Sequence, residues 1–344
     1  MENFDEYLRQ GEPNKAERAK AWKTAIGLQQ VDDLKPSEYL IDTARRNIEG
    51  DITIEEVKKR IDTYYQQHRT KSEEDRTEEA DKVSARIAEM LGERTFTFSP
   101  AEYLAIHRRL FKGIYKFAGK IRDYNITKRE WVLNGETVLY ASADSLKATL
   151  EYDFEQEKKF NYRGLSQQEI IEHITHFISY LWQIHIFGEG NTRTTAIFLI
   201  KYLRKLGFNE VNNDLFAKNS WYFRNALVRA NYEDLSKNIY KTEEYLIRFL
   251  SNLLLKETYL LRNREMHIQS VVSTSESSEK SSEKSSEKII RLMKQNAHIT
   301  INELSKEFGI TTRSIEKTIA KLKTENRIER IGGDKGGYWK IIEK

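Results

Sequence analysis

The sequence predicts a mainly α-helical protein with several domains. Only three prolines occur in 344 residues, and they separate long stretches rich in Glu, Lys, Leu, Ile and Ala, which are residues that favour helices. The length exceeds that of one ordinary domain, so we expect two or three domains with cores of their own. Cysteine is absent, which excludes a disulfide framework, a thiolate metal site and a thiol nucleophile.

Charge and hydropathy indicate the surroundings of the protein. The 57 basic and 53 acidic residues nearly cancel, so the net charge alone indicates no partner. No charged-then-apolar signal segment opens the chain, and no run of about 18 apolar residues is available to span a bilayer. We therefore expect a cytoplasmic protein that makes no contact with a membrane.

The first predicted region is helical and covers residues 1–65. Thr53 is placed to cap a helix in which Val57, Ile61 and Tyr64 recur at helical spacing. A charged stretch, HRTKSEEDRTEEADK, follows, and we expect the second region, the catalytic one, to cover residues 66–265. Helices dominate this second region as well, with one exception.

The exception is the segment NITKREWVLNGETVLYAS, residues 125–142. β-forming residues flank its Asn134-Gly135 pair: Trp131, Val132 and Leu133 before it, Thr137 and Val138 after it. An Asn-Gly pair between β-formers is typical of a type I′ hairpin turn. We expect a β-hairpin whose free strand edge either docks against helices or accepts an extended peptide.

A linker and a small basic domain are predicted at the C-terminal end. Residues 266–287 contain tandem Ser-Ser-Glu-Lys units, which cannot bury a core. Residues 288–344 have the pattern of a winged helix-turn-helix, with three helices followed by two strands around a Gly-rich wing. Its expected recognition helix carries Arg313, Lys317 and Lys321, so contact with DNA is plausible. Protein contact or homodimerisation through this domain is the alternative.

The stretch HIFGEGNTRTT, which begins at His185, lies between two apolar helical runs. Asn191 and Thr192 favour a helix N-cap, so the stretch is expected to end at a helix N-terminus. Free backbone N–H groups at such a terminus attract phosphate. Gly188 and Gly190 allow the backbone to come close to a ligand. The stretch therefore indicates an anion site.

Three side chains of the same stretch suit phosphate chemistry. Arg193, in the first helical turn, adds a charged donor and opposes the helix dipole, which a bound anion would explain. Glu189 is placed to hold a Mg²⁺ that bridges phosphate oxygens. His185 titrates near neutrality and can take a proton from an incoming hydroxyl. Together they describe attack of a hydroxyl on a metal-bound nucleotide phosphate.

HIFGEGNTR resembles the signature of the Fic family, His-x-Phe-x-(Asp/Glu)-Gly-Asn-x-Arg-x-x-Arg. The matching residues are His185, Phe187, Glu189, Gly190, Asn191 and Arg193. FKGIYKFAGKIRDYNI, residues 111–126, is similar to the stretch that leads into the Fic flap, and the predicted hairpin falls where that flap is expected. The resemblance covers residues 84–262 and implies a Fic-type helical domain with a β-hairpin flap.

The resemblance also implies an activity, namely transfer of AMP from ATP to a Ser, Thr or Tyr hydroxyl of a protein, with self-modification included. In that reaction His185 is the general base, Phe187 a core anchor and Glu189 the ligand of a Mg²⁺ cofactor. The phosphate cradle comprises Gly190, Asn191 and Arg193. The flap aligns the target segment by strand addition.

Three positions depart from the family pattern. Ile186 stands where proline is usual and Thr192 where glycine is common, and both residues are compatible with the turn. Ala196 replaces the second arginine, so a donor expected to hold the terminal phosphate is missing. Arg204 or Arg224 is a candidate replacement. The change leaves open another nucleotide, or a phosphodiester donor such as a diphosphate-linked alcohol.

Many Fic proteins carry an inhibitory helix reading Ser/Thr-x-x-x-Glu-Gly/Asn, whose glutamate pairs with the second arginine. No intact copy occurs in this sequence. Residues 24–57 resemble the antitoxin-type domain that carries this helix elsewhere, and Leu28 and Asp32 occupy the positions of a degraded motif. We hypothesise that residues 1–65 pack on the catalytic domain without inhibiting through the usual ion pair. A merely helical scaffold is the alternative.

Two classes of function follow. The first is a Fic-type protein adenylyltransferase tethered to a winged helix. The second is a DNA-binding transcriptional regulator whose Fic domain responds to nucleotide with weak or no turnover. His185 favours the enzyme, because binding a phosphate does not require a base. Removal of AMP from modified proteins is a third reading, which the missing inhibitory glutamate disfavours.

Overall fold

A computed structural model describes residues 4–9, 13–68, 76–208, 213–268, 289–308, 312–332 and 337–342. The chain divides into two compact units, residues 1–268 and residues 269–344. From residue 269 onwards, the predicted Ser-Glu-Lys linker lies outside the described residues. Helices make up most of the described chain, which confirms the predicted fold class. Within the described ranges, no helix combines the length and the apolar character needed to cross a membrane.

The first unit opens with helices that polar side chains cap. They are α1 (Asp5–Arg9), α2 (Pro13–Gly27), α3 (Glu38–Glu49), α4 (Ile54–Gln67) and α5 (Thr77–Gly92). Ser37 accepts a hydrogen bond from the first turn of α3. Thr53 and Glu56 form a reciprocal capping box at the start of α4. The predicted cap at Thr53 is therefore confirmed. A short 3-10 helix, Leu28–Asp32, follows α2.

The remaining helices of this unit include the two that the HIFGEGNTRTT motif connects. They are α6 (Pro100–Phe111), α7 (Leu146–Lys159), α8 (Gln167–Ile184), α9 (Asn191–Lys205), α10 (Asn213–Ala230), α11 (Glu244–Leu255) and α12 (Asn263–Met266). The motif connects α8 to α9. Nearly every residue of α9 is buried, and a helix buried on all sides lies at the centre of a domain. The motif is thus attached to the most central helix.

One apolar core extends through the whole first unit. It includes Trp22 and Leu28 from the N-terminal helices together with Phe198 of α9 and Phe249 of α11. α2 packs against both α5 and α10. The 3-10 helix at residues 28–32 also contacts α9, so residues 1–65 pack on helices of the region 66–265, as the hypothesis from the sequence required.

Close backbone contact joins the end of α2 to α10. A Cβ placed on Gly27 would lie 2.3 Å from the Cα of Ala217, so only glycine fits there. Ser220 Oγ donates to the carbonyl of Gly27 at 2.9 Å, and Arg224 Nη1 donates to the carbonyl of Val31 at 2.8 Å. One face of α10 thereby fixes the 3-10 helix that ends at Asp32.

The predicted flap forms its turn but not its strands. Asn134 and Gly135 have φ of 55° and 87°, and the N–H of Glu136 donates to the carbonyl of Leu133, as a type I′ turn requires. However, Trp131–Leu133 is a 3-10 helix, and the residues after the turn are not a strand. The prediction of two strands is wrong here. Val132 and Leu133 are both buried, whereas successive residues of a strand point to opposite faces.

The second unit is a small domain with its own core. It contains helix 289–295 (α13), α14 (Ile301–Phe308), α15 (Thr312–Thr324) and two strands, β1 (Ile328–Ile331) and β2 (Tyr338–Ile341). The strands are antiparallel, with Ile328 opposite Ile341. Apolar side chains from the helices and from β2, including Leu304, Ile315 and Trp339, pack together. This arrangement confirms the predicted winged helix-turn-helix.

Candidate functional site

The motif turn contains two residues with left-handed backbone. α8 ends at Ile184, and His185 follows with φ 49° and ψ 52°, which is uncommon for a residue with a Cβ. Gly190, with φ 78°, is the N-cap of α9. The sequence predicted Asn191 and Thr192 as capping residues, and that prediction is wrong. α9 already begins at Asn191, and no side chain caps it.

Asn191 and Thr192 instead hold the turn in shape. The side-chain amide of Asn191 donates to the carbonyl of Phe187 at 2.8 Å, and its oxygen accepts from the N–H of Phe187 at 3.1 Å. Thr192 Oγ1 accepts from the indole N–H of Trp182 at 3.0 Å. Phe187 is buried and stacks on His107 with ring centroids 3.7 Å apart. Contacts with residues of the protein thus hold the turn in its conformation.

Gly190 lies where a side chain does not fit, whereas at Gly188 the nearest atom belongs to the exposed Tyr124 side chain, which can move. A Cβ on Gly188 would come within 2.6 Å of the Tyr124 hydroxyl, and one on Gly190 within 2.4 Å of the Phe111 ring. The positive φ of Gly190 adds a second reason for glycine. Packing and backbone conformation thus explain Gly190, and the role of both glycines toward phosphate stays a prediction.

His185 is buried at the start of the turn, with 3% of its surface exposed. Its ring lies against Tyr140 and Trp182, at centroid distances of 4.2 and 5.2 Å. Neither ring nitrogen has a hydrogen-bond partner within the described ranges. Burial lowers the pKa of His185 well below its ordinary value, and neighbouring positive charges lower it further: Lys128, Arg224 and Arg122. The imidazole is therefore neutral at pH 7 and able to accept a proton.

Glu189 points toward solvent beside a lysine. Its side chain is 47% exposed, and its Oε2 lies 2.9 Å from Lys128 Nζ. A single exposed carboxylate fits Mg²⁺, because this ion usually takes most of its oxygens from phosphate and water. In the part of the chain that the structure describes, no group of three His, Asp or Glu side chains is arranged to hold a metal ion. Glu189 is thus suited to share a metal with a bound nucleotide.

His107 fixes the backbone of Glu189 from the core side. Its Nδ1 accepts from the N–H of Gly119 at 2.8 Å, so its Nε2 carries the proton and donates to the carbonyl of Glu189 at 2.9 Å. Burial lowers the pKa of His107 to about 4. His107 therefore remains neutral at pH 7. The sequence analysis did not single it out, because an isolated histidine in a helix carries no signal of its own.

Arg193 is fully buried and surrounded by acceptors. Its Nη1 donates to Gln29 Oε1 at 3.0 Å, and its Nη2 donates to Glu79 Oε1 at 2.7 Å. Asp32 Oδ2 lies 2.8 Å from the same Nη2. Burial acts to lower the pKa of Arg193, but Asp32, Tyr115 and Glu79 more than offset this, so that pKa is raised. The carboxylates of Asp32 and Glu79 thus contact this charge directly.

The contact between Asp32 and Arg193 revises the view of the degraded inhibitory motif. The sequence suggested that an ion pair had been lost, since Ala196 replaces the usual arginine. Instead, Asp32 pairs with Arg193, the first arginine of the signature. Leu28 is buried in the core at the start of the same 3-10 helix. Whether this contact inhibits the site stays a prediction.

Glu79 is the acidic residue that the sequence analysis missed. It accepts two hydrogen bonds from Arg76, at 2.8 Å each, and one from the Tyr115 hydroxyl at 2.6 Å, besides that from Arg193. Ala80 follows it, so a search for glutamate before Gly or Asn passes over it. Only the packing of α5 beside α9 shows its role.

The structure separates the two candidate replacements for the missing arginine. Ala196 is buried in the core. Arg204 donates to the carbonyl of Leu91 at 2.6 Å, at the end of α5. Arg224 donates to the carboxylate of Glu130 at 3.0 and 3.2 Å, and its charge lowers the pKa of His185. Arg224 is therefore the candidate that lies near the motif.

The predicted target-docking residues are only partly accessible. Trp131 is 48% exposed and packs against Trp221 and His267. Thr137 Oγ1 accepts from the N–H of Lys128 at 3.3 Å. The other three residues are buried: Val132, Leu133 and Val138. Target docking by strand addition stays a prediction, although the strand it invoked is not formed.

In the winged helix, the structure describes the side chain of one of the three residues predicted to contact DNA. Lys321 has a side chain that is 54% exposed and lies 3.7 Å from Glu325. The side chains of Arg313 and Lys317 lie outside what the structure describes. Two further cations, Lys323 and Arg330, lie over the ring of Trp339 at 5.3 and 4.9 Å. Contact with DNA stays a prediction.

Comparison with known proteins shows similarity to two families. The family model for the Fic/DOC family matches residues 97–203, and one for an HTH domain matches residues 285–338. Protein adenylyltransferase VbhT of Bartonella schoenbuchensis is 29% identical over 104 residues, which are 30% of this chain and 20% of VbhT. The probable protein adenylyltransferase y4lH of Sinorhizobium fredii is 29% identical over 137 residues, which are 40% of this chain and 67% of y4lH.

A solved structure also shows similarity. The Fic family protein from Desulfovibrio desulfuricans G20 has a TM-score of 0.48 and 12% identity, over 98% of this chain and 90% of that one. The chain spans only one fifth of the length of VbhT. The chain contains a Fic/DOC domain and, at its C-terminal end, a helix-turn-helix domain.

Proposed function

We propose that the first unit is a protein adenylyltransferase, which transfers AMP from Mg-ATP to a Ser, Thr or Tyr hydroxyl of a protein. The observation that carries this proposal is the state of His185. Its imidazole is buried, and neither ring nitrogen has a hydrogen-bond partner among the described residues, so a ring nitrogen is free to accept the proton of a hydroxyl. The Fic/DOC match and the names of the two relatives support the reaction class.

The chemistry follows from the residues of the turn. His185 takes the proton of the attacking hydroxyl. The hydroxyl oxygen then bonds to the α-phosphorus, while the bond from that phosphorus to the pyrophosphate oxygen breaks. Backbone N–H groups at the start of α9 stabilise the charge on the phosphate oxygens. Glu189 would hold a Mg²⁺, which neutralises further phosphate charge when bound.

Arg193 can contact a phosphate of the nucleotide only if its present contacts rearrange. Its guanidinium contacts Glu79, Asp32 and Gln29, so a phosphate has to compete with two carboxylates for it. Arg224 is, in this proposal, the cation that takes the place of the missing second arginine. Its pairing with Glu130 leaves part of the side chain, 22%, exposed.

A labelling experiment tests the proposal. Wild-type protein and His185→Ala are incubated with Mg²⁺, a cell lysate as target source and each of the four α-labelled nucleoside triphosphates. We expect label on protein with the wild type only, and with ATP as the best donor. Label that persists with His185→Ala would contradict the proposal. Intact-mass analysis of the protein itself reports self-modification.

A second candidate function is nucleotide-responsive regulation of transcription. The helix-turn-helix domain is the observation that favours it. In this case the protein binds DNA in a salt-dependent manner, ATP changes that binding, and no nucleotide is transferred. The same protein preparations, assayed for DNA binding with and without ATP, separate this function from the enzyme.

A further inference from the structure

The ring of His185 is held by aromatic contacts and not by hydrogen bonds. In the usual arrangement a third polar group orients a catalytic base, but within the described ranges neither nitrogen of His185 has a partner. Tyr140 covers one side of the ring at 4.2 Å, with 38° between the planes. Trp182 stands perpendicular to it at 5.2 Å, and Thr192 fixes the Trp182 indole. The direction of the imidazole therefore depends on these two rings.

Tyr140 is itself held by a buried charged pair. Its hydroxyl donates to Glu130 Oε1 at 3.2 Å, and Glu130 is 2% exposed. Arg224 Nη2 donates to both oxygens of that carboxylate, at 3.0 and 3.2 Å. Arg224 Nη1 reaches the carbonyl of Val31, next to Asp32. Tyr140 is thus fixed at both ends, by Glu130 and by the ring of His185.

The protonation state of Tyr140 suits this arrangement. Burial raises the pKa of the phenol, and the negative charge of Glu130 raises it further. The Tyr140 hydroxyl therefore stays protonated and donates a hydrogen bond to Glu130 throughout the neutral pH range. Glu130 in turn cannot lose Arg224 without becoming a buried, unbalanced charge, which is costly. The three side chains form one unit with a single favourable geometry.

We propose that Tyr140 is a positioning residue for His185, and that Glu130 and Arg224 hold Tyr140 in the orientation that aims the imidazole at the attacking hydroxyl. This inference rests on the proposed function, because it takes His185 as the base. It adds three residues that the Fic signature does not contain. It also connects the base to the segment that carries Asp32, through the bond from Arg224 to Val31.

Four substitutions test the proposal in the full chain. Tyr140→Leu removes the ring, Tyr140→Phe keeps the ring and removes the hydroxyl, and Glu130→Gln removes the charge that fixes it. Tyr152→Leu is the matched control, because Tyr152 is 63% exposed on α7. The readouts are the rate of label transfer from α-labelled ATP into lysate protein and the ATP concentration that gives half of that rate.

We expect Tyr140→Leu to lower the transfer rate by roughly 100-fold, the order expected when a reacting group is misplaced by about 1 Å, at unchanged half-saturating ATP. Tyr140→Phe and Glu130→Gln should lower the transfer rate by less than Tyr140→Leu does, and Tyr152→Leu should not lower it. An equal rate for Tyr140→Leu and wild type, while His185→Ala is inactive, would overturn this inference alone. Activity in His185→Ala would instead overturn the proposed function.

A spectroscopic readout is independent of transfer. The chain has seven histidines, so the imidazole proton resonances can be assigned by substitution. The Tyr140 ring beside His185 should move the chemical shifts of the His185 ring protons away from those of a solvent-exposed histidine. Tyr140→Phe should keep this difference, and Tyr140→Leu should remove it. Identical His185 resonances in all variants would refute the positioning role. If Tyr140→Leu fails to fold, Glu130→Gln decides the question: a lower transfer rate than that of the wild type supports the proposal, and an equal rate would refute it.

Discussion

The charge cluster around Arg193 allows a prediction of magnitude. Glu79→Gln keeps the size of the side chain but removes a carboxylate that is 7% exposed and pairs with both Arg193 and Arg76. The fully buried guanidinium of Arg193 then keeps a single carboxylate, that of Asp32, whose side chain is 18% exposed and whose Oδ2 makes no aligned hydrogen bond within the described ranges. Removing one partner of a buried ion pair costs about 3–5 kcal/mol. We expect the free energy of unfolding of the first unit to fall by that amount.

Denaturant unfolding, followed by tryptophan fluorescence, measures this change. Glu78→Gln is the matched control, because Glu78 lies next to Glu79, is 48% exposed and pairs with Lys82. Exposed pairs of this kind contribute about 0–1 kcal/mol. The loss of unfolding free energy for Asp32→Asn should lie between the losses for Glu79→Gln and Glu78→Gln. A loss for Glu79→Gln no larger than that for Glu78→Gln would refute the account of Arg193 as a buried, acid-held cation.

Three further predictions concern other parts of the chain. Gly27→Ala should destabilise the first unit by about 1–3 kcal/mol, as forced overpacking does, because the new Cβ would lie 2.3 Å from Ala217 Cα; an unchanged melting temperature would contradict this. The pKa of His107 is about 4 in the folded protein, against an ordinary value of 6.5. As the pH falls from 6.5 to 4, the unfolded chain therefore takes up a proton on this histidine before the folded protein does. The free energy of unfolding should fall by about 3 kcal/mol over this range. His107→Gln, compared by denaturant unfolding across this range, should lack that slope. Lys321→Ala should weaken DNA binding and reduce the slope of log affinity against log salt concentration by about one. An unchanged slope would show that Lys321 contacts no phosphate.

The sequence predicted the features that depend on local interactions. The cap at Thr53 and the left-handed Asn134-Gly135 turn form as expected, because each depends on a few neighbouring residues. The two strands around that turn do not form, since Val132 and Leu133 are drawn together into a helical core. Local propensity cannot reveal this, because the core is built by distant helices.

The motif lies between two helices, as predicted, but the contacts of its polar residues depend on packing. Asn191 was expected to cap a helix and instead clamps the backbone of Phe187. Arg193 was expected at a phosphate, and in the structure two carboxylates contact it from positions 79 and 32. Glu79 is 114 positions away in sequence, so a one-dimensional pattern contains no signal for that contact.

The Arg193 contacts also bear on the hypothesis of inhibition. Glu79 continues to hold Arg193 when Asp32 is changed, so Asp32→Asn should leave the rate of label transfer unchanged. A large increase with Asp32→Asn would show that the N-terminal segment inhibits through this residue. Parallel unfolding curves ensure that a change in rate is not a change in the folded fraction.

The most direct test of the central claim is transfer of label from α-labelled ATP with Mg²⁺, compared between the wild type and His185→Ala. The account predicts acid-stable label on protein with the wild type and none with His185→Ala, although both bind the nucleotide. Equal labelling by the two proteins would contradict the assignment of His185 as the base. If neither protein labels a target with any of the four nucleotides, the adenylyltransferase proposal gives way to nucleotide-responsive DNA binding.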